Sequence, residues 1–158
     1  ERRVDMEMEK LREVDAMSLG AATLPEGRKA IFVLSDSTGE TAKRLISRLL
    51  VQFDDIAHPY VRVFGTVTTP ERLADILTKA SSRPNDVLIF ATLVDPTMVG
   101  WLEKLSRQSG VKHVNVMSPL LTELSNFLES DAAGVPGMGV SQHRIEGLVS
   151  REFFSMVE

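Results

Sequence analysis

The chain has 158 residues, a formal net charge of −4 and no cysteine. This length suits one domain with a single core. The negative charge disfavours a nucleic-acid partner, because non-specific binding needs a broad basic field. Without cysteine the chain can form neither a disulfide nor a thiolate metal site. Its three histidines, His58, His113 and His143, lack ligand spacing, so we expect no metal. No apolar run approaches the roughly 20 residues of a membrane helix, so we expect no membrane partner.

Residues 1–29 predict an amino-terminal helix or flexible extension followed by a linker. Val4, Met8 and Leu11 are near helical spacing in a segment rich in Glu and Arg. Residues 20–29 contain Gly20, Pro25 and Gly27, which is typical of a linker. We expect one α/β domain to occupy residues 30–158.

Short, continuous apolar runs rich in Val, Ile and Phe predict four strands. These runs are Ala30–Leu34, Tyr60–Val67, Asp86–Ala91 and His113–Met117. Continuous hydrophobicity indicates burial on both faces, which is typical of parallel sheets covered by helices. The sequence therefore predicts a three-layer, doubly wound, mostly parallel α/β fold of the Rossmann-like or phosphate-loop-like kind.

Amphipathic segments after each strand predict helices whose apolar residues form the core. These residues are Ala42, Leu45, Ile46, Leu49, Leu50, Phe53, Leu73, Ile76, Leu77, Ala80, Met98, Val99, Leu102, Leu105, Leu121, Leu124, Phe127 and Leu128.

Three helix starts carry a polar cap followed by proline, namely Thr69-Pro70, Asp95-Pro96 and Ser118-Pro119. A glycine- and proline-rich loop, residues 130–139, then leads to an unfinished helix at residues 150–158. We expect the chain to be a fragment of a longer protein.

The loop after the first strand is the main candidate site. It reads Ser35-Asp36-Ser37-Thr38-Gly39-Glu40-Thr41, and the next helix is expected to begin near Glu40. Unpaired amides and the helix dipole at a helix start favour an anion. The hydroxyls of Ser35, Ser37, Thr38 and Thr41 add donors, and Gly39 permits a tight turn. Lys43 and Arg44 could reach back toward the anion. We therefore predict that these seven residues bind phosphate or sulfate, or a nucleotide.

The loop departs from the phosphate-loop pattern G-x-x-x-x-G-K-[ST]. It has no opening glycine, and Glu40 stands where the lysine should be. A carboxylate there favours a single phosphate or sulfate over a β,γ-phosphate pair, so we do not expect ATP hydrolysis. The alternative interpretation is a simple strand-to-helix turn with Ser37 or Thr38 as its cap.

Other polar residues at the predicted strand ends leave alternatives open. Asp36 and Asp95 could bind Mg²⁺ or act as a base, or cap a helix, as Asp95 before Pro96 suggests. Threonines 66, 68 and 69 could contact a ribose or phosphate. A stand-alone small-molecule enzyme is disfavoured, because the chain has no G-x-G-x-x-G motif and no histidine, cysteine or lysine near a strand end that is poised as nucleophile or base.

The run Phe32-Val-Leu-Ser-Asp-Ser-Thr-Gly-Glu-Thr-Ala42 resembles the opening of a known regulatory family. Its members are the regulatory proteins of plant pyruvate, orthophosphate dikinase and of bacterial phosphoenolpyruvate synthase. Leu50-Val-Gln-Phe53, Asn115-Val-Met-Ser-Pro-Leu120 and Arg151-Glu-Phe-Phe154 are also similar to this family. The resemblance covers about residues 31–158.

The resemblance implies a bifunctional serine/threonine kinase and phosphotransferase. Such proteins phosphorylate a threonine of the dikinase with ADP as donor, and remove that phosphate with inorganic phosphate, releasing pyrophosphate. The resemblance further implies that the partner is pyruvate, phosphate dikinase and that the protein is a homodimer that binds AMP or ADP. It also implies a role in C4 photosynthesis and a location in the chloroplast stroma, with the cytoplasm as the alternative.

The glycine-rich loop with Lys-Thr that these proteins carry in a second, catalytic domain does not occur in residues 1–158. We therefore expect an amino-terminal domain without catalytic residues, which binds nucleotide or phosphate or contacts the target or a second subunit. The alternative is a non-catalytic interaction domain with no ligand site.

Overall fold

A sheet interleaved with helices organises the chain in a computed structural model that describes residues 27–53 and 58–137. The predicted extension up to residue 26 and the predicted helix at 150–158 lie outside the described residues. The elements are β1 (Ala30–Ser35), α1 (Glu40–Leu50), a 3₁₀ turn (Val51–Phe53), β2 (Tyr60–Phe64), α2 (Pro70–Ser81), β3 (Val87–Thr92), α3 (Pro96–Ser109), β4 (Lys112–Asn115) and α4 (Met117–Leu128).

The four described strands pair in the order β2-β1-β3-β4, and every pair is parallel. In the register of the central strand, Leu34 lies beside Phe64 of β2 on one side and Ala91 of β3 on the other. Because parallel neighbours need a crossover, a helix separates each pair of consecutive strands. The predicted parallel α/β fold is confirmed.

Helices cover both faces of this sheet. On one face, Leu73 of α2 and Leu102 of α3 belong to the same apolar cluster as Phe32 of β1. On the other face, Ile46 of α1 packs in a cluster with Val33 of β1. Alternate residues of β1 are thus buried on opposite faces, as its continuous apolar run predicted. Each fully buried Leu or Phe stabilises the fold by about 2 kcal/mol.

Two predicted strand ends differ from the structure. The second strand ends at Phe64 rather than Val67, because Thr66 takes a left-handed φ of 53° and the chain turns. The fourth strand covers Lys112–Asn115, and Met117 already begins α4.

Two of the three predicted caps are confirmed. Thr69 Oγ1 accepts a hydrogen bond from the Arg72 amide at the start of α2, and Asp95 Oδ1 accepts one from the Thr97 amide at the start of α3.

The predicted Ser118 cap is wrong. Helix α4 starts one residue before it, with Val116 at the N-cap and no side-chain cap. The reason is a competing contact, since the Asn115 side-chain amide donates to Ser118 Oγ at 2.7 Å while also bonding both main-chain groups of Leu93.

The predicted core position of the α4 residues is also wrong. Leu124, Phe127 and Leu128 are exposed, Phe127 by 83%, and so is Phe53 after α1. Helical periodicity identifies an apolar stripe but does not say which element covers it. No helix in the described part of the chain is long and apolar enough to cross a membrane.

Candidate functional site

The loop that follows β1 lies at a topological switch point of the sheet. Helix α1 leaves β1 toward one face, whereas α3 leaves the neighbouring strand β3 toward the other. The two chain segments diverge at the carboxyl edge of the sheet, which is where parallel α/β proteins bind their ligands. The predicted site residues 35–41 lie at this edge, directly after β1.

Main-chain hydrogen bonds fix this loop to the segment after β2. The Thr66 amide donates to the Ser37 carbonyl and the Val67 amide donates to the Ser35 carbonyl, both at 2.8 Å. Loop carbonyls therefore point toward residues 65–67 and are satisfied there. The left-handed conformation of Thr66 is unusual for a β-branched residue, and it is the conformation in which these bonds form.

Glycine is required at two positions in this contact. Gly39 has a φ of +87°, and a Cβ atom there would lie 3.2 Å from Val63 Cγ1. A Cβ on Gly65 would lie 3.2 Å from the Thr38 carbonyl oxygen and 3.3 Å from that of Ser37. Sequence reasoning identified the first glycine and missed Gly65. The only sequence signal for it is a glycine that interrupts an apolar run, which often marks a close backbone approach.

The two predicted carboxylates are both engaged within the chain. Asp36 is buried, and its Oδ2 accepts a hydrogen bond from the Val94 amide at 2.8 Å, which joins the loop to the end of β3. Asp95 caps α3. Within the described residues, no group of three or more histidine, aspartate or glutamate side chains is arranged to hold a metal ion.

Two hydroxyls of the loop make local contacts. Ser35 Oγ accepts from the Ser37 amide at 3.1 Å, and Thr38 Oγ1 receives a long contact of 3.4 Å from the Glu40 amide. Neither Ser37 nor Thr38 is the helix cap, because the N-cap residue is Gly39, which has no side chain to offer. The alternative interpretation of a side-chain-capped turn is therefore wrong in the residues it named.

The start of α1 leaves main-chain donors available. The first amides of any α-helix have no intrahelical partner, and the Lys43 amide is the first that bonds back into this turn, to the Gly39 carbonyl. Within the described residues, the amides of Thr38, Gly39, Thr41 and Ala42 have no hydrogen-bond partner. Unpaired main-chain donors at the positive end of a helix dipole attract an anion.

Charged side chains flank these donors. Glu40 is exposed, and Lys43 reaches back one turn so that its Nζ lies 3.8 Å from Glu40 Oε1. The pair offsets the repulsion that the carboxylate alone would exert on a phosphate. Arg44, the other predicted cation, is exposed on the next position of α1.

Residues 131–137 approach the same edge of the sheet. A Cβ on Gly137 would lie 3.5 Å from Ser37 Oγ, and one on Gly134 would lie 2.9 Å from Pro96 Cδ. The loop that follows α4 thus passes over the end of β3 and reaches the candidate site. Sequence reasoning did not predict this contact, because nothing local to either segment encodes it.

The parallel sheet, the helices on both faces and the loop at the switch point define a Rossmann-like α/β protein. Comparison with known sequences is more specific: the chain belongs to the kinase/pyrophosphorylase family, which it matches over residues 31–157. This confirms the family resemblance that the run from Phe32 to Ala42 indicated.

Curated relatives support the same family. A protein of Trichlorobacter lovleyi is 34% identical over 110 residues, which cover 70% of this chain and 40% of that protein. One of Halothermothrix orenii is 29% identical over 128 residues, covering 81% and 44%, and one of Staphylococcus saprophyticus is 32% identical over 108 residues, covering 65% and 39%. All three carry the provisional name of pyruvate, phosphate dikinase regulatory protein. The chain spans about two fifths of the length of these relatives.

Proposed function

We propose that this chain is the amino-terminal, non-catalytic domain of a bifunctional regulator of pyruvate, phosphate dikinase. The parent protein phosphorylates a threonine of the dikinase with ADP as donor, and removes that phosphate with inorganic phosphate, releasing pyrophosphate. Family membership and the names of the relatives support this proposal. Catalytic residues are proposed to lie in a second domain, since the chain covers about two fifths of those relatives and carries no glycine-rich loop with Lys-Thr. A chloroplast location and a homodimer are further parts of the proposal.

The role proposed for this domain is to bind one phosphate group, free or as part of AMP or ADP, at residues 35–41. The observation that carries it is the set of four partnerless amides at the start of α1, held by a loop that is fixed on both sides. The loop is preorganised, because Asp36 ties it to β3 and the carbonyls of Ser35 and Ser37 tie it to the segment after β2. A preorganised set of donors binds an anion without the cost of ordering a mobile loop.

The experiment compares two substitutions that add the same charge at equivalent positions. Thr41 and Thr97 are both exposed and both second in their helices, α1 and α3. An aspartate near a helix start interacts favourably with the dipole, so neither variant should lose stability. A carboxylate at position 41 would repel a bound phosphate, whereas one at position 97 lies at a helix start that Asp95 already caps.

We expect Thr41→Asp to weaken binding of phosphate, AMP and ADP on the order of tenfold or more, as calorimetry or amide shifts would report. The Thr97→Asp control should bind like the unmodified chain. Equal loss in both variants, or no binding to the unmodified chain, would remove the phosphate site from the proposal.

A second function, contact with the dikinase or with a second subunit and no ligand, is favoured by one observation. Ser35 Oγ and Asp36 Oδ2 already have partners inside the chain, as they would in a loop shaped for structural reasons alone. Under this function the parent protein would lose target binding in Thr41→Asp or Thr97→Asp while its affinity for nucleotide stayed the same.

A further inference from the structure

Helix α4 packs differently from the other described helices. Helices α1, α2 and α3 each bury three or more of their residues, whereas α4 buries none. Four large apolar side chains of α4 face solvent, with exposed fractions of 59% at Leu120, 54% at Leu124, 83% at Phe127 and 64% at Leu128. Their spacing places them along one side of the helix, and we call them the apolar stripe. An exposed apolar patch of this kind is typical of a surface that binds another protein.

Two hollows adjoin the stripe. The first, of about 540 Å³, lies between α4 and α3, and Glu103 of α3 is part of its lining. The second, of about 360 Å³, is lined mainly by apolar groups, among them Leu124 and Leu128 of the stripe. Asp131 and Gly134 line both hollows. The two hollows therefore form one groove that is continuous with the apolar stripe.

The charged residues at this groove are all acidic. Glu103 and Asp131 line it, Glu123 precedes a stripe residue, and Glu129 follows another. No described lysine, arginine or histidine lines either hollow, and residues 116–135 contain none of these three types. None of the four carboxylates forms an ion pair with another described residue. The groove thus combines apolar surface with negative charge that the described chain does not balance.

This combination specifies the chemistry of a partner. An apolar stripe along one helix suits the apolar side of a second helix, and unpaired carboxylates complement lysine or arginine. A second copy of α4 fits less well, because it would bring acidic side chains against acidic side chains. We propose that the groove and the stripe bind a cationic amphipathic helix of a partner protein. Its apolar side chains cover the stripe, and its cations lie beside Glu103 and Asp131. The proposal does not depend on the phosphate site at residues 35–41.

The test measures the binding of three synthetic peptides of equal length to the complete chain, followed by amide shifts. The first peptide has leucine at helical spacing and lysine between. The second replaces lysine with glutamate, and the third replaces leucine with serine. We expect the lysine–leucine peptide to give saturable shifts in residues 118–135, and the other two to bind at least about tenfold more weakly. Added salt should weaken the binding, because the carboxylates are exposed.

Two matched variants test the apolar part of the surface. Phe127→Ser in the stripe and Phe53→Ser after α1 each remove one exposed phenylalanine, so neither should disturb the fold. We expect the Phe127 variant to bind the lysine–leucine peptide on the order of tenfold more weakly, since a large apolar contact is lost. The Phe53 variant should bind like the unmodified chain.

Three further variants test the charges. Glu103→Gln and Asp131→Asn each remove one negative charge from the groove, and Glu71→Gln removes one from the exposed start of α2. The two groove variants should bind the lysine–leucine peptide several-fold more weakly, whereas the Glu71 variant should not. Equal weakening in all three would show that only net charge matters, and would overturn the proposal.

The remaining outcomes that would overturn the proposal are equally distinct. One is a comparison peptide that binds as tightly as the lysine–leucine peptide, and another is the absence of saturable shifts in residues 118–135. Self-association of the free chain that Phe127→Ser abolishes, measured by the dependence of molecular mass on concentration, would show that a second copy covers the stripe instead.

Discussion

Four described helices begin at the carboxyl edge of the sheet, and the starts of α1, α2 and α3 differ in how many main-chain donors are satisfied within the chain. Helices α2 and α3 each begin with proline after a side chain that caps a main-chain amide, Thr69 in one and Asp95 in the other. Helix α1 begins after Gly39, with no side-chain cap and no proline. At each capped start, proline removes one amide hydrogen and the cap accepts another, so fewer donors remain there than at the start of α1.

Among substitutions that test this difference between helix starts, Gly39→Ala is expected to lower stability most. A Cβ at a φ of +87° is strained and would lie 3.2 Å from Val63 Cγ1. We expect the free energy of unfolding to fall by about 2–3 kcal/mol in denaturant titrations. The matched control is Gly110→Ala, also left-handed but with nothing within 4 Å of the added atom, and it should cost about 1 kcal/mol. Equal losses would mean that the loop does not pack as described.

The next effect concerns the two carboxylates. Asp36→Ala would leave the Val94 amide without its partner in a largely buried setting, at a cost of about 2 kcal/mol. Asp95→Ala removes only an exposed cap, and we expect about 1 kcal/mol. Thermal or denaturant unfolding of both variants measures the difference. A larger loss in the Asp95 variant would contradict the account of Asp36 as the link between loop and sheet.

A smaller effect distinguishes a true cap from an apparent one. Thr69→Ala should cost about 1 kcal/mol, because its Oγ1 accepts from the Arg72 amide. Thr38→Ala should cost less than about 0.5 kcal/mol, since its contact with the Glu40 amide is long and exposed. If the Thr38 variant lost as much stability as the Thr69 variant, α1 would be capped like the other helices.

The smallest effect lies at the opposite edge of the sheet. There the side chains of Lys29 and Arg83 hydrogen-bond the Asp86 carboxylate and hold its pKa below the ordinary value of 3.8. A lowered pKa means that the folded state favours the ionised form. The ionised Asp86 carboxylate therefore stabilises the folded state above pH 3.8, and this stabilisation is lost as the pH falls through the lowered pKa. We expect Asp86→Asn to make acid unfolding slightly less steep in that range, and an unchanged profile would show that the pairs are fully screened by solvent.

The parts of the fold that the sequence predicted are those encoded by neighbouring residues. The continuous apolar run of β1 predicted burial on both faces, and the Thr69-Pro70 and Asp95-Pro96 pairs predicted two helix starts. Each depends on interactions within one or two turns of chain. The position of the candidate loop at the carboxyl edge followed from its place directly after a strand of the predicted parallel sheet.

The parts that could not be predicted depend on contacts between distant segments. Gly65 is required because the carbonyls of Ser37 and Thr38 approach it, and Val94 binds Asp36 across 58 positions of sequence. Ser118 was predicted to cap α4, but its hydroxyl oxygen accepts a hydrogen bond from the side-chain amide of the strand residue Asn115. The outward stripe of α4 was predicted to be core for a similar reason, since periodicity alone does not identify the covering element.

The measurement that tests the central claim most directly is a titration with inorganic phosphate, followed at individual amides of the complete chain. Saturable shifts at Thr38, Gly39, Thr41 and Ala42 are predicted, with no comparable change at Arg72 and Thr97, whose amides are already capped. Shifts of equal size at all three helix starts, or none at the start of α1, would contradict the distinction between them.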